Sequence, residues 1–423
     1  MTVRRFDGRS WRESGLSGRR LDLSRFAAER SAVAEICDRV MREGDAALRE
    51  LGKRFDGWSP KAGEPFSVPR PEIDAAAASL PRADREALEF AARRIRDFHE
   101  RQLPSDRAAE GAIRLVTRPV HRAGLYAPGG RASYPSTVLM TAIPARVAGV
   151  PEVVLATPPR PDGSVPEAIL AAARIAGVDA VFRIGGAQAI AALAYGTESV
   201  PRVDVVAGPG NVYVTLAKRE VFGSVGVDGI AGPTEVVVLA DGSARPDYVA
   251  ADLAAQLEHD PLAWGILVTD SSTLAQRVEE ELEHLLRGLE RADIIRQATC
   301  CVVVAGDMEE AMTIVDDFAP EHLLVVAAGG YELAAHVKNA GAVFVGPYAT
   351  VPLGDYTAGP NHTLPTSGAA RYASPLGVQT FLKRTSVLKL DRDDLEMLRG
   401  ATVRLAELEG LGAHAHAVEV RLE

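Results

Sequence analysis

The sequence predicts an α/β protein with two Rossmann-like α/β domains that flank a cleft. Three observations predict this class: a helical first hundred residues, β-branched runs that alternate with Ala-rich helical stretches after about residue 115, and Gly-rich segments that divide these runs into two series. Such alternation is typical of βα units and of a largely parallel sheet. The length of 423 residues, with 47% apolar and 25% charged residues, allows two or three domains with large cores.

The helical first part contains two stretches with apolar residues at three- and four-residue spacing. They are FAAERSAVAEICDRVMREGDAALREL and PRADREALEFAARRIRDFHERQL. This spacing predicts two amphipathic helices.

Two series of predicted strands follow. The first contains GVPEVVLATPP, GVDAVFRIGG and RVDVVAGPGN; the second contains TEVVVLAD, LAWGILVTD, CCVVVAG, HLLVVAA and AVFVGP. Gly-rich segments at 124–130 and 229–235 bracket the first series, which predicts a domain inserted into another. The predicted parts are an N-terminal arm (1–25), a helical lead-in with the first part of the main domain (26–125), the inserted domain (126–235), the rest of the main domain with a metal site (236–375) and a C-terminal segment (376–423).

The C-terminal segment changes character again, from LGVQTFLKRTSVLKL to a last helix that contains EGLGAH. It is short for independent folding, and we expect it to pack against another subunit. Ligands usually bind in the cleft between two α/β domains.

Composition excludes several classes of partner. The net charge of −10 argues against nucleic acid and anionic membranes as binding partners, because proteins bind such partners through clustered Lys and Arg. No apolar run approaches the ~20 residues of a membrane span. The polar opening MTVRRFDGRSWRE lacks a signal-peptide core. We therefore expect a cytoplasmic protein whose partner is a small molecule.

The three cysteines, Cys37, Cys300 and Cys301, are too few for a disulfide framework. Cys300 or Cys301 could capture an aldehyde, but both open the apolar run CCVVVAG. We favour a buried structural role, since buried Cys usually behaves as a small hydrophobe.

The nine histidines divide into two groups. Four of them sit among ordinary helix or strand residues and are interpreted as structural: His99, His121, His284 and His336. The other five lie near Asp, Glu or Gln in short polar segments: His259, His322, His362, His414 and His416.

Two of these polar segments place possible ligands or bases together. In ADLAAQLEHD, Gln256 and His259 are three apart on a predicted helix, so both could hold one ion or one substrate group. In APEHL, Glu321 and His322 stand directly before a strand, where we expect a parallel sheet to display catalytic side chains. An adjacent Glu and His supply two bases for proton transfer, although a surface turn is the alternative.

Two further segments are rich in turn formers. GDYTAGPNHTLPT carries Asp355, Asn361 and His362 in a constrained loop. In EGLGAH, we expect the glycines at 410 and 412 to break the helix between Glu409 and His414, and His416 competes with His414 as the functional histidine. Ligands of the His, Asp and Gln types suit Zn²⁺, but the spacing matches no standard zinc motif.

A series of longer motifs resembles histidinol dehydrogenases. They occur in that family's order from about residue 120 onward: GLYAPGGRASYPSTVLMTAIPARVAGV, GGAQAIAALAYGT, GPGNVYV, AGPTEVVVLAD, QLEHD, APEHL, GDYTAGPNHTLPT, SPLGVQTFLKRTSV and EGLGAHAHAV. The resemblance implies a homodimer whose sites are completed by the partner's C-terminal segment. It also implies one Zn²⁺ per site and two NAD-dependent oxidations that convert L-histidinol through L-histidinal to L-histidine.

The resemblance also implies roles for individual residues. It implies zinc ligands at Gln256, His259, Asp355 and His414, and a catalytic pair at Glu321 and His322. It implies substrate contacts at Thr234, His362 and Glu409, together with His322 and the zinc ligands. It implies NAD contacts at Tyr126, Gln188 and Asn211. No GxGxxG motif is present, so NAD binding depends on the resemblance, with GPGNVYV as a plausible turn before a helix that could receive a phosphate.

Two other functions compete with this interpretation. A related zinc- and NAD-dependent dehydrogenase of another polar alcohol, such as a sulfonated diol, would use the same machinery, but the presence of both His362 and Glu409 favours histidinol. A two-domain binding protein would not need the adjacent Glu321 and His322.

Overall fold

The structure is a computed structural model that describes residues 2–18, 20–104, 113–129 and 133–422. These residues form two compact units, a larger one within 1–103 and 120–381 and a smaller one within 104–119 and 382–423.

The strands are β1 (Val3–Asp7), β2 (Ile113–Pro119), β3 (Arg122–Tyr126), β4 (Glu152–Thr157), β5 (Ala180–Arg183), β6 (Val205–Ala207), β7 (Gly226–Val227), β8 (Glu235–Ala240), β9 (Trp264–Thr269), β10 (Thr299–Val304), β11 (His322–Val326), β12 (Ala342–Val345) and β13 (Leu382–Leu388). The helices are α1 (Gly8–Glu13), α2 (Ala27–Glu43), α3 (Asp45–Phe55), α4 (Arg70–Ser79), α5 (Arg82–Glu100), α6 (Pro135–Val147), α7 (Glu167–Ala176), α8 (Gly186–Tyr195), α9 (Val212–Val221), α10 (Pro246–Leu257), α11 (Ser272–Leu285), α12 (Ala292–Gln297), α13 (Met308–Phe318), α14 (Gly330–Ala335), α15 (Val351–Tyr356), α16 (Arg392–Leu408) and α17 (Gly412–Glu419).

The larger unit contains two parallel sheets. The six-stranded sheet has the order β1-β10-β9-β8-β11-β12, and the five-stranded sheet has the order β5-β4-β3-β6-β7. In the five-stranded sheet the chain runs from the central β3 to the edge strand β5 and then crosses to β6. In the six-stranded sheet it runs from β8 to β10, which lies beside the edge strand β1, and then crosses to β11. The strand order therefore reverses between β8 and β11 in one sheet and between β3 and β6 in the other, which is where doubly wound sheets open a crevice.

The six-stranded sheet has an apolar core on each of its two faces, because its central strands are largely apolar. Successive residues of a strand point to opposite faces, and accordingly Val236 and Val238 belong to one apolar cluster while Val237 and Leu239 belong to another. Both faces are thus covered, as expected for a parallel sheet.

All eight predicted strands are confirmed, and the two series lie in separate sheets. The sequence reasoning missed β1, which pairs with β10, and β3, which lies at the centre of the five-stranded sheet. The proposed division into an inserted and a main domain, with its boundaries, stays a prediction. Cys300 and Cys301 lie buried in β10, and burial raises the pKa of these thiols to about 12 and about 11, as expected for structural cysteines.

One helix prediction is corrected. The first helical stretch is two helices, α2 and α3, because the chain turns at Gly44 with a φ of 55°. Asp45 then fixes the new direction: its backbone N–H donates to Glu198 Oε2 over 2.8 Å, and its carboxylate accepts from the Thr197 hydroxyl over 2.7 Å. Glycine adopts this backbone conformation without the steric cost of a side chain.

The smaller unit contains β2 and β13, which pair antiparallel, and the helices α16 and α17. Gly410, with a φ of 71°, ends the turn after α16, whereas Gly412 is the first residue of α17 and does not break a helix. Among the described residues, no helix is long and apolar enough to span a lipid bilayer.

Candidate active site

The candidate catalytic pair lies at the amino ends of two neighbouring strands. His322 is the first residue of β11, and it is aligned with Val236 next to Glu235, the first residue of β8. Doubly wound sheets usually place ligands at the carboxyl ends. We expected the start of a strand to be the edge where a parallel sheet displays catalytic side chains. That expectation is wrong, because a residue directly before or at the start of a strand must lie at the amino end of that strand.

Glu321 is held by donors from the start of β8. Its Oε2 accepts a hydrogen bond from the Thr234 hydroxyl over 2.6 Å and another from the Glu235 backbone N–H over 2.9 Å. Thr234 Oγ1 in turn accepts from the Gln256 side-chain amide. The carboxylate is buried, with 6% of the residue exposed. Three predicted site residues thus form one hydrogen-bonded chain.

The two ring nitrogens of His322 differ in their hydrogen bonding: Nδ1 has a partner within the protein, and Nε2 has none among the described residues. Its Nδ1 lies 3.2 Å from the Glu235 carbonyl oxygen and 3.5 Å from Glu321 Oε2. Since a carbonyl can only accept, Nδ1 carries the proton. Nε2 is buried without a hydrogen-bond partner among the described residues, and Asp355 Oδ1 is 3.7 Å away. In the neutral ring, Nε2 therefore offers a free lone pair.

The charges around His322 favour its protonated form. Burial lowers the pKa of His322, but the Glu321 and Asp355 carboxylates outweigh it and raise the pKa to about 10. For Asp355, burial raises the pKa of the carboxyl group. The interactions of this carboxylate with His322, His362 and His259 outweigh burial and lower its pKa below the usual value. A cation held by Asp355 would oppose its effect on His322 and shift the ring toward the neutral form.

Asp355 and His362 converge from the same polar segment. Asp355 is on the short helix α15, and its backbone oxygen lies 2.9 Å from His362 Nδ1. His362 Nε2 lies 3.4 Å from the Thr137 hydroxyl of α6. Burial lowers the pKa of His362, so this ring is held neutral.

Gln256 and His259 are placed differently from the helix prediction. Gln256 lies in the last turn of α10 and is buried, whereas His259 follows the end of the helix and is exposed. A shared helix face therefore does not bring them together. His259 also interacts electrostatically with Asp355 and is one of the groups that lower the pKa of that carboxylate.

The donor atoms of this cluster fit a borderline divalent cation. Gln256 Oε1 is buried and has no hydrogen-bond partner in the described part of the chain, because its amide nitrogen is the group that faces Thr234. An amide oxygen, the Asp355 carboxylate and the His259 imidazole are suitable ligand types for Zn²⁺. The described residues contain no group of three or more His, Cys, Asp or Glu that could hold a metal alone.

The other predicted residues of this site belong to the smaller unit. Glu409 follows α16, and His414 and His416 lie on α17. Glu409, His414 and His416 are all exposed.

The predicted coenzyme residues lie at the carboxyl ends of the five-stranded sheet. Tyr126 ends β3, Asn211 caps α9 after β6, and Gln188 is in the first turn of α8 after β5. The Gly186 N–H donates to the Tyr126 hydroxyl over 3.0 Å, and Asn211 Oδ1 accepts from two N–H groups of α9. These residues therefore lie at the edge of the sheet at which a doubly wound fold opens its crevice.

Sequence reasoning missed the residues that support this crevice. Lys218 donates to the Gly208 carbonyl over 3.0 Å, and Asp228 accepts from the Gly208 N–H over 2.8 Å. Lys218 and Asp228 also form a buried ion pair. Asp56 bonds to Gly185 and Gln188. A lysine inside the apolar pattern of VYVTLAKREV was the available signal for Lys218, whereas Asp56 ends an ordinary surface helix and gave none.

His99 also has a role that its neighbours in sequence do not reveal. It is buried, its Nδ1 lies 2.7 Å from the Ile95 oxygen, and its Nε2 lies 3.5 Å from Asn361 Nδ2. Asn361 Nδ2 also donates to the Met140 oxygen over 2.6 Å. The structural interpretation of His99 therefore holds, and the residue packs beneath the loop that carries His362.

A nucleotide-type crevice and a buried Glu–His pair with a free imidazole nitrogen are the parts of an NAD-dependent oxidoreductase. A family model described as histidinol dehydrogenase matches residues 22–422. The chain belongs to the histidinol dehydrogenase family.

Relatives from other organisms are similar over nearly the whole chain. Histidinol dehydrogenase of Parasynechococcus marenigrum is 49% identical over 411 residues, which cover 96% of this chain and 93% of that protein. The protein of the same name from Moorella thermoacetica is 49% identical over 96% of this chain and 97% of its own length. The crystal structure of histidinol dehydrogenase from Elizabethkingia anophelis matches with a TM-score of 0.90 at 33% identity, covering 99% of this chain and 98% of that one.

Proposed function

We propose that the protein oxidises L-histidinol through L-histidinal to L-histidine, the last steps of histidine biosynthesis, with two molecules of NAD. The alcohol loses a hydride and a proton to give the aldehyde. Water adds to the aldehyde, and the hydrate loses a second hydride and a proton to give the carboxylic acid, which then releases a further proton to form the carboxylate. The observation that carries this proposal is the buried Glu321–His322 pair, whose Nε2 has no hydrogen-bond partner among the described residues and lies 3.7 Å from Asp355 Oδ1.

His322 is the proposed base in both oxidations. Its Nδ1–H is fixed on the Glu235 carbonyl, so Nε2 is the atom that can accept the hydroxyl proton. This tautomer is also the one that a general base requires. The same nitrogen takes a proton from the hydrate in the second oxidation.

Glu321 is the proposed base for the water that adds to the aldehyde. Thr234 and the Glu235 N–H both bind Oε2, which orients the carboxylate. Oε1 makes no hydrogen bond to any described residue, so it is available to water.

The proposed zinc ligands are Gln256, His259, Asp355 and the His414 of a second subunit. Zinc held there would supply a Lewis-acidic centre that suits the nitrogen groups of the substrate, and NAD would accept each hydride. His362 and Glu409 contact the substrate, with Glu409 opposite the cationic amine. Analogues that lack this amine would leave the Glu409 carboxylate unpaired in the assembled site, which would disfavour their binding. The proposed assembly is a homodimer with shared sites, which the location of Glu409 and His414 in the separate smaller unit supports.

NADH absorbance tests this proposal. Purified protein with Zn²⁺ and NAD should form two NADH per L-histidinol, and a strong chelator should abolish turnover. L-leucinol, an amino alcohol without an imidazole, is the matched control and should give no NADH. Absence of NADH from histidinol, or equal rates with leucinol, would contradict the proposed substrate.

A further inference from the structure

The coenzyme crevice lacks an acidic residue at the position where doubly wound folds usually carry one. In those folds, an Asp or Glu near the end of the second strand binds the ribose 2′-hydroxyl of NAD. The corresponding strand here is β4, and the chain continues as Pro158, Pro159 and Arg160. The next acid, Asp162, binds the N–H and hydroxyl of Ser164 over 2.9 and 2.7 Å within its own turn.

Asp56 supplies a carboxylate at this position from another part of the chain. It caps the carboxyl end of α3, and its Oδ2 accepts from the Gly185 N–H and the Gln188 amide, each over 3.3 Å. A Cβ atom on Gly185 would lie 2.5 Å from Asp56 Oδ1 and 2.6 Å from Pro158 Cβ. Asp56 and Pro158 therefore flank the same glycine, between the ends of β4 and β5.

The two oxygens of Asp56 have different roles. Oδ2 makes both hydrogen bonds within the protein, whereas Oδ1 makes none to any described residue. Asp56 also stands at the amino end of α8, where the helix would otherwise favour an anion such as a phosphate. One oxygen is thus free for a hydroxyl donor, and the charge opposes a phosphate.

We infer that Asp56 determines coenzyme specificity: Oδ1 accepts a hydrogen bond from the 2′-hydroxyl of the adenosine ribose, and its charge repels the 2′-phosphate of NADP. This inference rests on the proposed use of NAD. Burial raises the pKa of Asp56, but the hydrogen bonds from Gly185 and Gln188 favour the ionised form.

Asp56→Asn tests the role of the charge, with Glu50→Gln on the same helix α3 as the control. Glu50 is paired with Arg39 at the surface, so this control removes one negative charge outside the crevice. We expect wild type to bind NAD at least tenfold more tightly than NADP by calorimetry. In Asp56→Asn this ratio should fall about tenfold or more, since hydrogen bonds to charged groups are the stronger ones. Glu50→Gln should keep the wild-type ratio.

A purely structural role for Asp56 would weaken both coenzymes equally and leave the ratio unchanged, which would overturn the inference. A second measurement needs no variant: NAD with a 2′-deoxyadenosine should bind wild type about tenfold more weakly than NAD. Equal affinity would also overturn the inference while leaving NAD use intact. Failure of wild type to bind NAD at all would instead refute the proposed function.

Discussion

Replacement of Glu321 by Gln separates the two members of the catalytic pair. The amide oxygen of Gln can still accept from Thr234 and from the Glu235 N–H, which bind Oε2 over 2.6 and 2.9 Å. The substitution therefore keeps the side chain in place but removes the base. A positioned general base contributes ~10²- to 10⁴-fold in rate, so oxidation of supplied L-histidinal should slow by about this factor.

The first oxidation should respond differently. The Glu321 carboxylate is the largest influence that raises the pKa of His322, to about 10. In Glu321→Gln this pKa falls, so neutral His322 becomes available at lower pH. The acidic limb of the pH–rate profile for L-histidinol should therefore move to lower pH, and the rate at neutral pH should change much less than for the aldehyde.

Single-turnover NADH formation from alcohol and from aldehyde, measured across pH, is the assay. Glu309→Gln, an exposed substitution at the start of α13, is the control and should leave both rates unchanged. His322→Asn should impair both oxidations. Equal loss in both steps for Glu321→Gln, with no shift of the pH profile, would refute this division of roles.

Three further predictions concern metal, stability and assembly. Gln256→Ala removes the free amide oxygen and should lower zinc affinity at least tenfold, measured by titration with a competing chelator. Lys218→Met leaves Asp228 buried without its partner, so the free energy of unfolding in urea should fall by about 3–5 kcal/mol. Mixed dimers of His322→Ala and His414→Ala chains should regain activity, because one of the two shared sites then contains both histidines.

Each of these has a distinct contrary result. Unchanged zinc affinity in Gln256→Ala would remove this residue from the proposed ligands. A change in unfolding free energy no larger than that of Lys383→Met, an exposed lysine of β13, would show that the buried ion pair contributes little. Mixed dimers that form but stay inactive would contradict shared sites.

The strands could be predicted because their burial on both faces demands uninterrupted apolar runs. β10 and β8 are such runs, TCCVVV and EVVVLA. β1, with the sequence VRRFD, is partly exposed at the sheet edge, so polar residues mask its pattern. β3, with the sequence RAGLY, is central but has no long apolar run. Local sequence therefore reveals strands with long apolar runs better than short or partly polar ones.

The site was only partly predictable for a related reason. Motifs identified Glu321, His322 and Asp355, but their convergence depends on the register between β8 and β11. The prediction that Gln256 and His259 share a helix face was wrong, because the helix ends at Leu257 and His259 lies beyond it. Asp56 could not be found, since its partner Gln188 is more than a hundred residues away in the chain.

The proposed acid–base pair and the proposed coenzyme crevice belong to different sheets, one at the amino ends of β8 and β11 and the other at the carboxyl ends of β3 and β6. Because the two regions share no residues, we expect a substitution in one of them to leave the other unchanged. Substitutions at sites that share no partner usually have additive free-energy effects. If Asp56 sets coenzyme preference as we infer, natural drift or laboratory selection could change that preference while Glu321 and His322 stay unaltered.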